Sequence, residues 1–140
     1  MAESNTGRIG AVPDGKRAAL LVEDNVDLRE ALTEFLELLG LQVGAWASGE
    51  AAIAGADAHN IDLLVTDLML PGVNGLALAD YFQRRHADLP VIVISGLLHA
   101  KQVAPRAGIR CVAKPFSLQE FRRLVEELIG ASRTQERRHI

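Results

Sequence analysis

The chain holds one cysteine among 140 residues, Cys111, so it cannot form an internal disulfide. Aromatic residues are scarce at 4%, which suits an aliphatic α/β core better than a β-sandwich. No apolar run approaches the ~20 residues that a membrane span requires. The net charge is −3 and no cluster of lysine and arginine stands out, so there is no basic field to draw nucleic acid or an anionic membrane. The start of the chain lacks the charged and then apolar pattern of a secretory leader, and a cytoplasmic location is expected. There is no internal repeat. Nothing after Gly130 is long enough to form a DNA-binding or catalytic output module.

What remains is a length that fits one domain with a real core. Residues 1–15 are small, polar and punctuated by Gly and Pro, and are expected to form a disordered lead-in. The folded domain is expected over 16–130, with 131–140 as a flexible tail. Ala18 to Val22 is a short apolar run read as a strand buried on both faces, and Gln42 to Trp46, Leu63 to Asp67, Val91 to Ile94 and Cys111 to Ala113 are read as four further strands. Between them lie stretches of helical spacing. Asn25 can cap a helix carrying Leu28, Leu32, Phe35, Leu36 and Leu39, which Gly40 closes. A helix of small residues is expected from Gly49 to about Ala58, and another from Gly75 to about His86. The segment from Leu97 to Ala107 is short and contains Pro105, which must end or kink a helix there. Ser117-Leu118-Gln119-Glu120 is a capping box that opens a last helix. Strands alternating with helices imply an α/β fold, a doubly wound five-stranded parallel sheet with helices on both faces.

Chemistry-bearing residues gather where these strands end. Glu23 and Asp24 follow the first strand, Asp67 ends the third, Ser95 follows the fourth and Lys114 the fifth. In a sheet of order 2-1-3-4-5 the first and third strands are neighbours at the topological switch point, where such sheets place their ligands. Three carboxylates side by side repel one another, and a divalent cation relieves that repulsion. Oxygen ligands and no nearby His or Cys favour Mg²⁺ over zinc. Next to a bound Mg²⁺, Asp67 has the chemistry of a nucleophile toward a phosphoryl group, with Lys114 and Ser95 to hold the other oxygens. A Lys-Pro turn such as Lys114-Pro115 is a place where a cis bond occurs.

Each residue also has a plainer reading. A lone strand-end Asp is usually a turn acid or helix cap, Ser95-Gly96 can be turn chemistry, and Lys114 can be a surface lysine. Their co-occurrence outweighs those readings. Cys111 is expected to be an inert buried thiol. His59, His86, His99 and His139 are expected to face solvent, and Trp46 to serve packing or an interface.

Four motifs in order, Val22-Glu23-Asp24-Asn25, Asp67-Leu68-Met69-Leu70-Pro71-Gly72-Val73-Asn74-Gly75, Ile94-Ser95-Gly96 and Lys114-Pro115-Phe116, resemble those of the receiver domain of bacterial two-component response regulators. The resemblance covers residues 17 to 130. It implies the flavodoxin-like (βα)5 fold, here with a shortened fourth helix, and phosphorylation of Asp67 by a histidine kinase or a histidine phosphotransfer protein. It implies that Glu23, Asp24, Asp67 and the main-chain carbonyl of Met69 organise Mg²⁺, that Ser95 and Lys114 contact the phosphoryl group, and that phosphorylation switches binding to a downstream protein. Such domains shift population when the hydroxyl residue moves toward the phosphate and an aromatic residue follows. Cys111 occupies that aromatic position here. The span from Ser95 to Lys114 is about three residues shorter than the common pattern, on a face that many receivers use to dimerise. The positions two after Asp67 and two after Ser95 are Met69 and Leu97, neither able to orient a water, so a long-lived phosphoryl group is expected.

Three other readings compete. A haloacid-dehalogenase-like phosphatase needs an Asp two residues past its nucleophile, where Met69 stands. A flavodoxin-like flavin carrier needs a Ser/Thr/Gly-rich loop after the first strand, where Glu23-Asp24-Asn25-Val26 stands. A pseudo-receiver would have lost the acids that this chain keeps.

Overall fold

The computed structural model describes residues 16–56, 60–96 and 108–138, the last eight of these by backbone alone. Five strands form one parallel sheet: β1 (Arg17–Val22), β2 (Leu41–Trp46), β3 (Leu63–Asp67), β4 (Val91–Gly96) and β5 (Ile109–Lys114). Their order is β2-β1-β3-β4-β5, as expected. Four helices are described: α1 (Val26–Leu38), α2 (Gly49–Gly55), α3 (Gly75–Arg85) and α4 (Leu118–Arg138). The expected short helix between β4 and β5, with Leu97, His99 and Pro105, lies outside the described residues, as do the 1–15 lead-in, His59 and His139.

β1, β3 and β4, in the middle of the sheet, are mostly apolar because both of their faces are covered, whereas the edge strands β2 and β5 also carry Gln42, Arg110 and Lys114. Alternate residues of β1 go opposite ways. Ala19 and Leu21 join Leu32 and Leu36 of α1 and Phe121, Val125 and Ile129 of α4 in one core layer. Leu20 and Val22 join Ala52 of α2 and Leu78, Ala79 and Phe82 of α3 in the other. Each fully buried Leu or Phe contributes about 2–3 kcal/mol relative to an exposed one. In the first layer Phe121 meets the rings of Phe35 and Phe116 with centroids at 6.0 and 5.6 Å.

Capping follows the sequence. Asn25 accepts the Leu28 N–H at 2.9 Å, Ser48 the Ala51 N–H at 3.1 Å, Asn74 the Ala77 N–H at 2.9 Å, and Ser117 the Glu120 N–H at 3.0 Å. Two helix ends differ from expectation. α2 stops at Gly55, where a side chain would strike the Trp46 ring (2.2 Å from its nearest carbon). α4 runs past Gly130 to Arg138. A helix-interior glycine costs about 1 kcal/mol but does not terminate a helix, and no proline follows it.

Candidate functional site

The switch point between β1 and β3 brings together the tips of both strands, with Val22 paired to Thr66. β4 lies on the other side of β3 and pairs Ile94 with Asp67, while β5 pairs Lys114 with Gly96. One strand-end row therefore carries Glu23 and Asp24, Asp67, Ser95, and Lys114.

Three of the expected acids converge. Glu23, Asp24 and Asp67 each offer a carboxylate oxygen, and these atoms all lie within 4.8 Å of one another. Glu23 and Asp67 are buried, at 1% and 6% exposure, whereas Asp24 faces solvent. Lys114 Nζ donates to Asp67 Oδ2 at 3.1 Å. The lysine is aimed by a strand that ends in the cis Lys114-Pro115 bond. Asp67 Oδ1 accepts the Met69 N–H at 3.4 Å, so the loop after β3 already folds back toward the carboxylate.

Among the described residues Glu23 is the group whose protonation is clearly shifted. Burial pushes its carboxyl up to about 7; the nearby Asp67 charge adds to the rise, while the Asn25 N–H and Lys114 oppose it. The Glu23 main chain is pinned by its N–H to the Trp46 carbonyl at 3.0 Å and by Arg29, whose Nη1 donates to the Glu23 carbonyl at 2.8 Å. Glu23 Oε2 accepts the Asn25 N–H at 3.1 Å, but its Oε1 is buried with no partner. A buried carboxylate oxygen without a donor, beside two further carboxylates, fits a hard divalent cation better than any neutral ligand.

Ser95 is buried on the neighbouring strand, and its hydroxyl donates to the Gly96 carbonyl at 3.0 Å. Its oxygen also lies 3.9 Å from Cys111 Sγ. Cys111 itself is exposed, not buried as expected. β5 is an edge strand of which only Ile109 and Val112 are buried, so a short apolar run there did not mean coverage on both faces. His86 is also corrected: it is half-buried, and its Nδ1 is closed off from solvent without a partner. Trp46 is half-buried and packs against the second core layer, in keeping with a packing role. Met69 is 60% exposed, and Leu97 lies outside the described residues.

Two contributors carried no sequence signal. Arg29 reaches back from the first turns of α1 to a main-chain carbonyl. Glu50 reaches from α2 to the N–H of Val73, 23 residues away in the chain. The Pro-Gly spacing marks a turn near Val73, but it does not name the partner that holds it.

The family model for the response regulator receiver domain matches residues 19–126. The chain belongs to that family. The receiver is 33% identical over 126 residues to the C4-dicarboxylate transport transcriptional regulatory protein DctD of Rhizobium meliloti, an alignment covering 88% of this chain and 26% of that protein. It is 30% identical over 119 residues to the DNA-binding transcriptional regulator NtrC of Salmonella typhimurium, covering 83% and 25%. The non-phosphorylated HemR receiver domain from Leptospira biflexa shares its fold at a TM-score of 0.69 and 32% identity, with 81% and 94% covered. The response regulator protein TrrA from Thermotoga maritima, solved in complex with Mg²⁺-BeF, does so at 0.70 and 27%, with 80% and 98% covered. The receiver spans about a quarter to a half of the length of the curated relatives it matches. Receivers are switch domains of two-component signalling, and the acid cluster is consistent with the phosphoacceptor role. Among the described residues no helix is long and apolar enough to cross a membrane.

Proposed function

We propose that this receiver accepts a phosphoryl group on Asp67 from a phosphohistidine of a histidine kinase or a histidine phosphotransfer protein, and that the modified form changes binding to a downstream protein. The observation that carries this reading is the meeting of Glu23, Asp24 and Asp67 with the amine of Lys114 on Asp67 Oδ2. An Asp67 carboxylate oxygen forms the new bond to phosphorus as the phosphorus–nitrogen bond of phosphohistidine breaks. The imidazole leaves with the electron pair and later takes a proton. Lys114 holds an oxygen of the transferring group, and Ser95 turns its hydroxyl from the Gly96 carbonyl toward another.

Glu23, Asp24, Asp67 and the Met69 carbonyl would hold Mg²⁺, as the magnesium in the TrrA complex supports. When bound, the ion supplies charge neutralisation for the phosphoryl oxygens. Met69 offers no group to orient an attacking water, so the acyl phosphate is expected to be slow to hydrolyse. Phosphate release from purified, phosphorylated protein measures this; rapid loss without any phosphatase would contradict it.

Incubation with Mg²⁺ and acetyl phosphate followed by intact mass tests the central reading. The expected result is a gain of one phosphoryl group, ~80 Da, that is lost in Asp67→Asn. A wild-type chain that gains nothing, or a D67N chain that gains as much, overturns it.

A further inference from the structure

The loop 68–74 leaves β3 at the phosphoacceptor and returns as α3. Its neck is closed by the Gly75 N–H to the Leu68 carbonyl at 2.9 Å. Gly75 fits only because it lacks a side chain: a Cβ there would stand 2.4 Å from the Asp67 carbonyl oxygen. The far side of the loop is held by another element. Glu50, in the first turn of α2, accepts the Val73 N–H on Oε2 at 3.0 Å. The same carboxylate lies across Gly72, where a Cβ would be 2.0 Å from Oε2 and 2.9 Å from Cδ. Gly72 has φ +76°, a conformation that glycine adopts without strain. From the α2 side, a Cβ on Gly49 would meet Val73 Cβ at 3.1 Å. Helix and loop thus approach through a glycine on each side, and one carboxylate fills the gap.

A first-turn acid usually serves its own helix or stays hydrated. In α2 the Ala51 N–H is already capped by Ser48 at 3.1 Å, and Glu50 points at a different segment. The loop it grips carries the two Met69 main-chain groups that matter next to Asp67: the N–H on Oδ1 at 3.4 Å and the carbonyl assigned to the cation. We propose that Glu50 is a positioning residue for the acid site, fixing loop 68–74 so that the Met69 main chain and the Asp67 carboxylate keep the geometry that takes a divalent cation. This rests on the reading under Proposed function. Glu50 acts as a hydrogen-bond acceptor, not as a charge: glutamine retains the acceptor and alanine does not.

The test is Mg²⁺ titration of the full chain by calorimetry for wild type, E50A, E50Q and A52G, with the rate of phosphorylation by acetyl phosphate at saturating Mg²⁺ measured on the same samples. E50A is expected to lose about tenfold in Mg²⁺ affinity, as loss of an outer-shell contact does, and E50Q to stay at wild type. A52G loosens α2 without removing the acceptor, so its thermal midpoint falls while its Mg²⁺ affinity holds. The proposal is overturned if E50A binds Mg²⁺ as wild type does, if E50Q loses as much as E50A, or if A52G loses affinity alongside them. A wild-type chain that binds Mg²⁺ but takes up no phosphate sinks the phosphoacceptor reading, while the Mg²⁺ series still decides the part played by Glu50. A wild-type chain that binds no Mg²⁺ overturns both.

Discussion

At the scale of single residues the site is a charge balance. Three carboxylates with oxygens within 4.8 Å face one ammonium, and the proposed cation would compete with that ammonium for Asp67. Two substitutions should therefore move Mg²⁺ affinity in opposite directions. Glu23→Gln removes a proposed ligand and is expected to weaken binding at least about tenfold. Lys114→Ala removes the competing charge and is expected to tighten binding while slowing phosphorylation. Parallel losses of Mg²⁺ affinity in both variants would refute the balance. The Glu23 carboxyl, raised to about 7 by burial, gives wild type a pH signature, since the cation needs the ionised form. Below about pH 7 Mg²⁺ affinity should fall by roughly tenfold per unit, and E23Q should remove that slope. The acids and the lysine were legible because each ends an apolar run. Glu50 was not, because a turn states that it needs a partner without naming it. Cys111 and His86 misled because exposure depends on what lies across an edge strand or under a helix end, which one segment's residues do not record.

At the scale of elements, local chemistry decided most outcomes. Asn25, Ser48, Asn74 and Ser117 cap helices as polar residues before apolar stripes should, and Gly40 follows the end of α1. Both misplaced ends lie at glycines in different surroundings. Gly55 is the last residue of α2, with no room for a side chain beside the Trp46 indole and an extended Ala56 after it, whereas Gly130 lies within α4 with nothing within 4 Å of a Cβ. Gly130→Ala should then stabilise the protein by about 0.5–1 kcal/mol through helix propensity alone. Gly75→Ala is the opposite case, because its methyl would meet the Asp67 carbonyl oxygen at 2.4 Å. It should lower stability by several times that amount and impair Mg²⁺ binding too, since the backbone forced to move carries Asp67. Urea unfolding of both variants reads the two signs. A G75A chain as stable as wild type would mean that the neck of the loop yields freely.

At the scale of the whole domain, the described residues form a largely aliphatic sheet with helices on both faces that holds an unfavourable charge cluster at one end. The covered sheet was readable because continuous apolar runs leave few other architectures. The energy of the cluster depends on burial and becomes visible only once the strands lie side by side. Its signature is a stability that metal and pH control jointly. In metal-free protein Glu23 has a folded-state value near 7 against an ordinary 4.5. Below 4.5 it is protonated in both states and costs nothing. As pH rises from there to 7 the unfolded chain ionises first, so the contribution of this group to stability is progressively lost. On the proposed reading Mg²⁺ would bind only the folded, ionised site and so restore stability by linkage, about 2.7 kcal/mol at a hundred times its dissociation constant. The gain in thermal midpoint on exchanging a chelator for saturating Mg²⁺ should therefore be large at pH 8 and small at pH 5, and E23Q should flatten that contrast. An equal gain at both pH values would mean that Glu23 is not the group through which the cation is felt.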